Sequence, residues 1–179
     1  MPVPSFIGRK YNLSKEDFFE TPSYVVEKLL EKEEFKGEIL EPACGTGAIS
    51  KILIREGFKV ISSDIVFRGF GKRQDFFDLE GPVDNIVTNP PYNILNDFIL
   101  HSLEITRNKV ALFLRVSSLE GFNRYNLIYS KKRLKNIYVF SKRVRFNHPK
   151  YGKPRGMITY AWFIFYKRFK GIPTLDWIY

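Results

Sequence analysis

Glu38-Ile39-Leu40-Glu41-Pro42-Ala43-Cys44-Gly45-Thr46-Gly47 reads as a short strand, a glycine-containing turn and the entry to a helix. The strand stops at Pro42, which has no amide to donate to a ladder. The helix runs over about residues 48–56 and stops at Gly57. Doubly wound α/β folds are assembled from such units and bind nucleotides at this turn. A Gly-x-Gly without the full G-x-G-x-x-G is weak evidence for a ligand, because tight βα turns are common.

Working outward, the pattern repeats. Residues 22–34 predict a helix, with Thr21 as its cap, Pro22 in its first turn, and Val25, Val26, Leu29 and Leu30 on one face. Residues 59–63 predict a second strand with Asp64 at its carboxyl end, and residues 84–88 a third. A helix over 94–106, a buried strand over 110–114 and a helix over 122–132 follow. Two closing strands are expected near 136–146 and 157–167, joined by a polar loop over 147–156 that holds His148 and Tyr151. Strand–helix alternation closed by a hairpin predicts a three-layer α/β sandwich on a mostly parallel sheet with an antiparallel edge.

Chemistry concentrates at the strand ends. Asp64 lies 19 residues after Gly45, where a carboxylate can take both hydroxyls of a ribose. Asp75-Phe76 is placed to hold an adenine, although a solvated strand end and a loop turn are the plain readings of these two acids. Glu41 disfavours a pyrophosphate and suits a ligand with a positive end. After the apolar run 85–88 comes Asn89-Pro90-Pro91-Tyr92. Two prolines remove two donors and hold the chain extended, leaving the carbonyls of Asn89 and Pro90 free to accept. With an amide before the turn and an aromatic ring after it, the corner suits a planar amino or amide group.

At 179 residues the chain is expected to form a single domain, residues 1–179. No stretch reaches the roughly 18 apolar residues of a membrane span, and Met1–Phe6 lacks the pattern of a signal peptide. One cysteine points to a reducing, cytoplasmic setting, and with two distant histidines gives no metal-ligand spacing. The formal charge of +10 is unevenly spread. Residues 1–90 carry 12 basic and 15 acidic side chains; residues 91–179 carry 17 and 4. From Arg107 to Lys170 there are 17 basic residues and one acid, Glu120. So one-sided a block repels itself, and a polyanionic partner accounts for it better than solubility does. A basic membrane-surface helix would also be cationic, but this segment reads mostly as strands.

The glycine turn followed by Asn89-Pro90-Pro91-Tyr92 resembles the class I S-adenosylmethionine-dependent amino-methyltransferases, above all compact phage-type DNA adenine-N6 enzymes. Phe19-Glu20-Thr21-Pro22 is similar to the segment those enzymes place ahead of the glycine turn. The resemblance spans residues 17–167 and implies a Rossmann-like fold with a seven-stranded sheet and S-adenosylmethionine as cofactor. It implies that Thr21, Ala43 and Gly45 contact the methionine portion beside Glu41, that Asp64 holds the ribose, and that Asp75 and Phe76 hold the adenine. Pro22, Cys44, Gly47, Ile65 and Asn89 join the cofactor wall, Cys44 as a small filler. Asn89 and the Pro90 carbonyl would grip the target amino group, Pro91 would keep the corner rigid, and Tyr92 would stack on the target base. Accepting both N–H bonds restores lone-pair density to a conjugated nitrogen, which can then attack the sulfonium methyl in line.

The resemblance further implies that the base leaves its stack to reach the pocket. Phe146 falls where related enzymes pack a residue against the flipped base; a hairpin core phenylalanine is the equal reading. Arg115 ends a strand beside the predicted pocket, the loop 147–156 could grip phosphates, and Lys131-Lys132-Arg133 forms a basic cluster or a solvated helix end. The chain between Tyr92 and Arg143 is too short for a separate target-recognition domain. Reading is therefore expected from short loops, the basic surface or a partner protein. DNA is favoured as substrate over RNA; protein glutamine-N5 and cytosine-N4 methylation use a similar corner.

Overall fold

A computed structural model describes residues 20–146 and 158–179. The polar loop expected over 147–156, with His148 and Tyr151, lies outside the described residues, as does Phe19. The strands are β1 (Ile39–Glu41), β2 (Val60–Asp64), β3 (Lys72–Arg73), β4 (Asn85–Thr88), β5 (Lys109–Arg115), β6 (Leu134–Phe140), β7 (Tyr160–Tyr166) and β8 (Thr174–Ile178). The helices are α1 (Ser23–Leu30), α2 (Ala48–Arg55), α3 (Leu95–Ile105) and α4 (Phe122–Leu127).

All strands join one sheet in the order β3-β2-β1-β4-β5-β7-β6-β8. The first five of these are mutually parallel, β7 is antiparallel to β5 and β6, and β8 runs parallel to β6. The mostly parallel sheet and an antiparallel β6–β7 pair are therefore present, but with eight strands rather than seven, and the edge is β8, parallel to β6, rather than the hairpin expected to close the chain. Two strands were not placed from the sequence: β3, of two residues, pairs with β2, and β8 pairs with β6, with four of its five residues exposed. Thr174-Leu175-Asp176-Trp177 alternates polar and apolar residues, a signal of a strand that could have been read.

Side-chain alternation assigns the two faces. Ala111 and Phe113 of β5, with Trp162 and Ile164 of β7, pack with Val25, Val26 and Leu29 of α1 and Ile49 and Leu53 of α2. Val110, Leu112 and Leu114, with Phe163 and Phe165, pack on the other face against Phe98, Ile99 and Leu103 of α3. A period of two in the central strands thus feeds both layers. The Trp162 Nε1 amine donates to the Val25 carbonyl at 2.8 Å, locking α1 to the sheet.

Several element ends differ from expectation. α1 stops at Leu30, and Pro22 rather than Thr21 takes the N-cap position, without a side-chain cap bond. The helix expected over 122–132 is one short helix followed by a 3-10 turn, Tyr129–Lys131. Glu33, just past α1, is 6% exposed and accepts from Lys109 Nζ (2.6 Å), Asn136 Nδ2 (2.6 Å) and the Tyr138 hydroxyl (2.7 Å). Burial alone would raise its pKa, but these bonds and the Lys109 charge outweigh it and hold the carboxyl below its ordinary value. Among the described residues no helix is long and apolar enough to cross a membrane.

Candidate active site

Parallel pairing brings the carboxyl ends of β1, β2, β4 and β5 to one edge of the sheet, and with them Glu41, Asp64, Asn89 and Arg115. Because β7 is antiparallel, its first residue, Tyr160, arrives at the same edge in register with Arg115. A cavity of about 310 Å³ opens there, within the size range of small-ligand sites.

The glycine turn forms the floor. Gly47 is the N-cap of α2 with φ 83°, and a Cβ there would stand 2.4 Å from the Phe70 ring, so no other residue fits without moving that ring. The turn is tied to β2 by the Cys44 amide donating to the Ser63 carbonyl at 2.9 Å. Burial, with Glu41 and Asp64 adding, pushes the Cys44 thiol up to about 12, so it stays protonated and acts as a small filler.

Glu41 lines the cavity with only 1% of its surface exposed. Its Oε2 accepts from the Ser50 amide at 2.7 Å and from the Ser50 hydroxyl, which lies 2.6 Å from the Ser62 hydroxyl. Burial nevertheless pushes the carboxyl up to about 8, the Ser50 bonds opposing and the Asp64 charge assisting. At neutral pH the group is therefore mostly neutral. A cation seated beside it would restore its charge.

Asp64 is more tightly held than a free strand end. Its Oδ2 accepts from the Gly45 amide and its Oδ1 from the Val66 amide, both at 2.9 Å, and Arg68 Nη1 lies 3.7 Å from Oδ1. Each oxygen keeps lone-pair capacity for an incoming hydroxyl. Asp75 caps a 3-10 turn, Phe76–Asp78, by accepting from the Phe77 amide at 3.0 Å. Phe76 lines the cavity but is a core side chain: it is buried, packs 4.3 Å from the Phe98 ring and meets His101 edge-on at 4.8 Å. Phe77, next in sequence and half-buried, shares the wall.

Across the cavity stands the proline corner, whose four residues all line it. Asn89 Nδ2 donates to the Thr21 hydroxyl at 3.2 Å, which leaves Oδ1 as the acceptor of that amide. Thr21 is thus buried at the site and serves Asn89 rather than the helix. The Arg115 guanidinium sits over the Tyr92 ring at 4.5 Å. Phe146 also reaches this end, with its ring 5.0 Å from Tyr160 and 6.1 Å from Phe113, so it serves core and cavity together.

Of the residues singled out from sequence, Pro22, Gly45 and Gly47 stand off the cavity wall while shaping it; Thr21, Glu41, Ala43, Cys44, Asp64, Ile65, Asp75, Phe76, Asn89, Pro90, Pro91, Tyr92, Arg115 and Phe146 line it. Arg68 and Tyr160 line it too and were missed. Arg68 follows Asp64 by one helical turn's spacing, a signal that could have been read; Tyr160 depends on strand order alone.

The sheet order and the cavity at its carboxyl edge belong to a fold that solved structures of methyltransferases share. Solved structures sharing it include a proposed RNA methyltransferase from Pyrococcus horikoshii, with a TM-score of 0.62 at 20% identity over 83% of this chain and 87% of that one. The modification subunit of a proposed type I restriction enzyme from Vibrio vulnificus gives 0.62 at 14% identity, over 93% of this chain, which spans 48% of that subunit. A dimethyladenosine transferase from Plasmodium falciparum gives 0.54 at 18% identity, over 83% of this chain and 62% of that one. At these identities the likeness is one of fold. No protein-family model matches the sequence, and no curated protein matches it.

Proposed function

We propose that the protein is an S-adenosylmethionine-dependent methyltransferase that modifies the exocyclic N6 amino group of adenine in DNA. The observation that carries the reading is the convergence on one cavity of Asn89, whose Nδ2 donates to the Thr21 hydroxyl and leaves Oδ1 as the amide's acceptor, with the acids Glu41, Asp64 and Asp75. The donor set fits the cofactor: Asp64 and Asp75 offer acceptors for hydroxyl and amino groups, Ile65 and Phe76 offer apolar wall, and buried Glu41 favours a cation. Bound there, S-adenosylmethionine supplies an electrophilic methyl group on a positively charged sulfur.

The chain's own residues do the rest. Asn89 Oδ1 and the Pro90 carbonyl accept the two N–H bonds of the target amine and orient its lone pair, so positioning and electrostatics supply the acceleration. Tyr92 offers a flat face for the base, while Phe146 and Tyr160 keep water from the reacting nitrogen. No side-chain nucleophile is needed, and the proton leaves after transfer, when the nitrogen is acidic.

An RNA adenine is the second reading, supported by the likeness in fold to the Pyrococcus protein and to the dimethyladenosine transferase. The basic block from Arg107 to Lys170 supports either polymer over a protein glutamine. Incubation with methyl-labelled cofactor and separate DNA, RNA and ribosomal-protein or release-factor pools decides between them. Label in N6-methyladenine of DNA is the expected result; label only in protein glutamine would overturn it.

A further inference from the structure

We propose that the connection between β5 and β6, residues 116–127, is the element that reads the polynucleotide beside the target base, with Phe122 and Tyr125 as its stacking platform. This rests on the nucleic-acid reading above and says where recognition comes from. Between Tyr92 and Phe140 the chain is taken up by α3, β5, α4 and β6, so no reading domain is inserted there.

Phe122 is 80% exposed and Tyr125 58% exposed, three positions apart on α4. Two outward aromatic rings on one short element ask for a partner. The element is braced. Arg124 turns inward, donating from Nε to Asn96 Oδ1 at 2.7 Å and from Nη1 to the carbonyls of Ser118 (2.9 Å) and Glu120 (3.0 Å). The Tyr129 hydroxyl donates to the same Ser118 carbonyl at 2.6 Å. The one cation of residues 116–127, Arg124, is thus spent on holding the backbone, and the two rings are left presented to solvent on a fixed support.

The brace also sets the location. The segment leaves β5 at Arg115, on the cavity wall, and is fastened to Asn96, two residues beyond Ile94 on the same wall. The rings are therefore carried on a segment that leaves the cavity wall at Arg115 and is tied to α3 at Asn96, just past that wall. The occupant follows from charge: Lys131 and Lys132 are exposed at the end of the 3-10 turn that packs against α4, within a stretch of sequence, residues 107–170, that holds 17 basic side chains against one acid. Aromatic rings set among cations bind unpaired bases by stacking while the cations take the phosphates.

The test uses the full chain without cofactor and short labelled single-stranded DNA and RNA oligonucleotides, with affinity read by fluorescence anisotropy. The Phe122→Ala/Tyr125→Ala double variant is expected to bind about tenfold or more weakly, with the slope of log affinity against log salt unchanged, because stacking releases no counterions. Phe122→Trp is expected to bind like the parent and to show quenched tryptophan fluorescence on binding; should the double variant fail to fold, this readout decides alone. Parent-like affinity of the folded double variant, or unquenched emission from a bound Phe122→Trp protein, overturns the proposal. Should the parent bind neither polymer, the nucleic-acid reading itself falls, which is a separate result.

Discussion

Replacing Glu41 by Gln tests the electrostatics of the cavity directly. Gln keeps an acceptor for the Ser50 amide and cannot ionise. In the parent, burial raises the carboxyl from an ordinary 4.5 to about 8. Between those values the folded protein holds a proton that the unfolded chain releases. Stability therefore falls as pH rises through this window, the reverse of a salt-bridged carboxylate. At about 1.4 kcal/mol per pH unit, with the slope fading as the folded carboxyl ionises, the loss is about 2 kcal/mol from pH 6 to pH 8 and about 5 kcal/mol once the titration is complete. Urea unfolding of parent and Glu41→Gln proteins at steps from pH 5 to pH 8.5 measures it. The stability gap should widen with pH in favour of the variant. Parallel curves for the two proteins would refute the reasoning. The same linkage reaches the proposed cofactor: a cation beside Glu41 expels the proton, so affinity should climb by up to about tenfold per unit below pH 8 in the parent only. Calorimetry in buffers of different ionisation enthalpy detects the released proton.

Other outcomes follow from the same geometry. Asn89→Ala should abolish methyl transfer while leaving S-adenosylmethionine affinity within several-fold, as read by single-turnover transfer and equilibrium binding; full activity would sink the mechanism. Thr21→Val removes the acceptor that orients Asn89 and should lower kcat by about fivefold, for a hydrogen bond of about 1 kcal/mol, with Thr21→Ser restoring it. Lys109→Ala strands the buried Glu33 carboxylate and should cost about 3–5 kcal/mol by denaturant unfolding. In contrast to Glu41, the Glu33 contribution is present above pH 4.5 and fades as pH drops, because its carboxyl is held low. Nucleic-acid affinity should fall by orders of magnitude between low and physiological salt; a flat response would assign the basic block another role.

The corner and the glycine turn were legible because their chemistry is local. Pro90-Pro91 dictates an extended, donor-poor backbone wherever it occurs, and Gly47 takes a φ of 83° that favours glycine in the turn itself. Another reading failed where a local signal has two outcomes. Thr21 precedes a helix and looks like its cap, yet its hydroxyl faces Asn89, 68 residues away. Phe76 lines the cavity as expected, and its packing on Phe98 and His101 also makes it a core side chain, a second role that its sequence neighbours do not signal.

From residue order alone one can derive the α/β class, the strand ends that carry acids, the rigid corner and the basic half of the chain. Each is set by the covalent character of neighbouring residues or by a short hydrophobic period. Strand order is different in kind. Only folding seats β7 antiparallel beside β5, bringing Tyr160 level with Arg115, and chooses β6 as the partner of β8. Only folding buries Glu41 deeply enough to change its charge. Those outcomes depend on which distant surfaces exclude water from each other, and no local pattern encodes that.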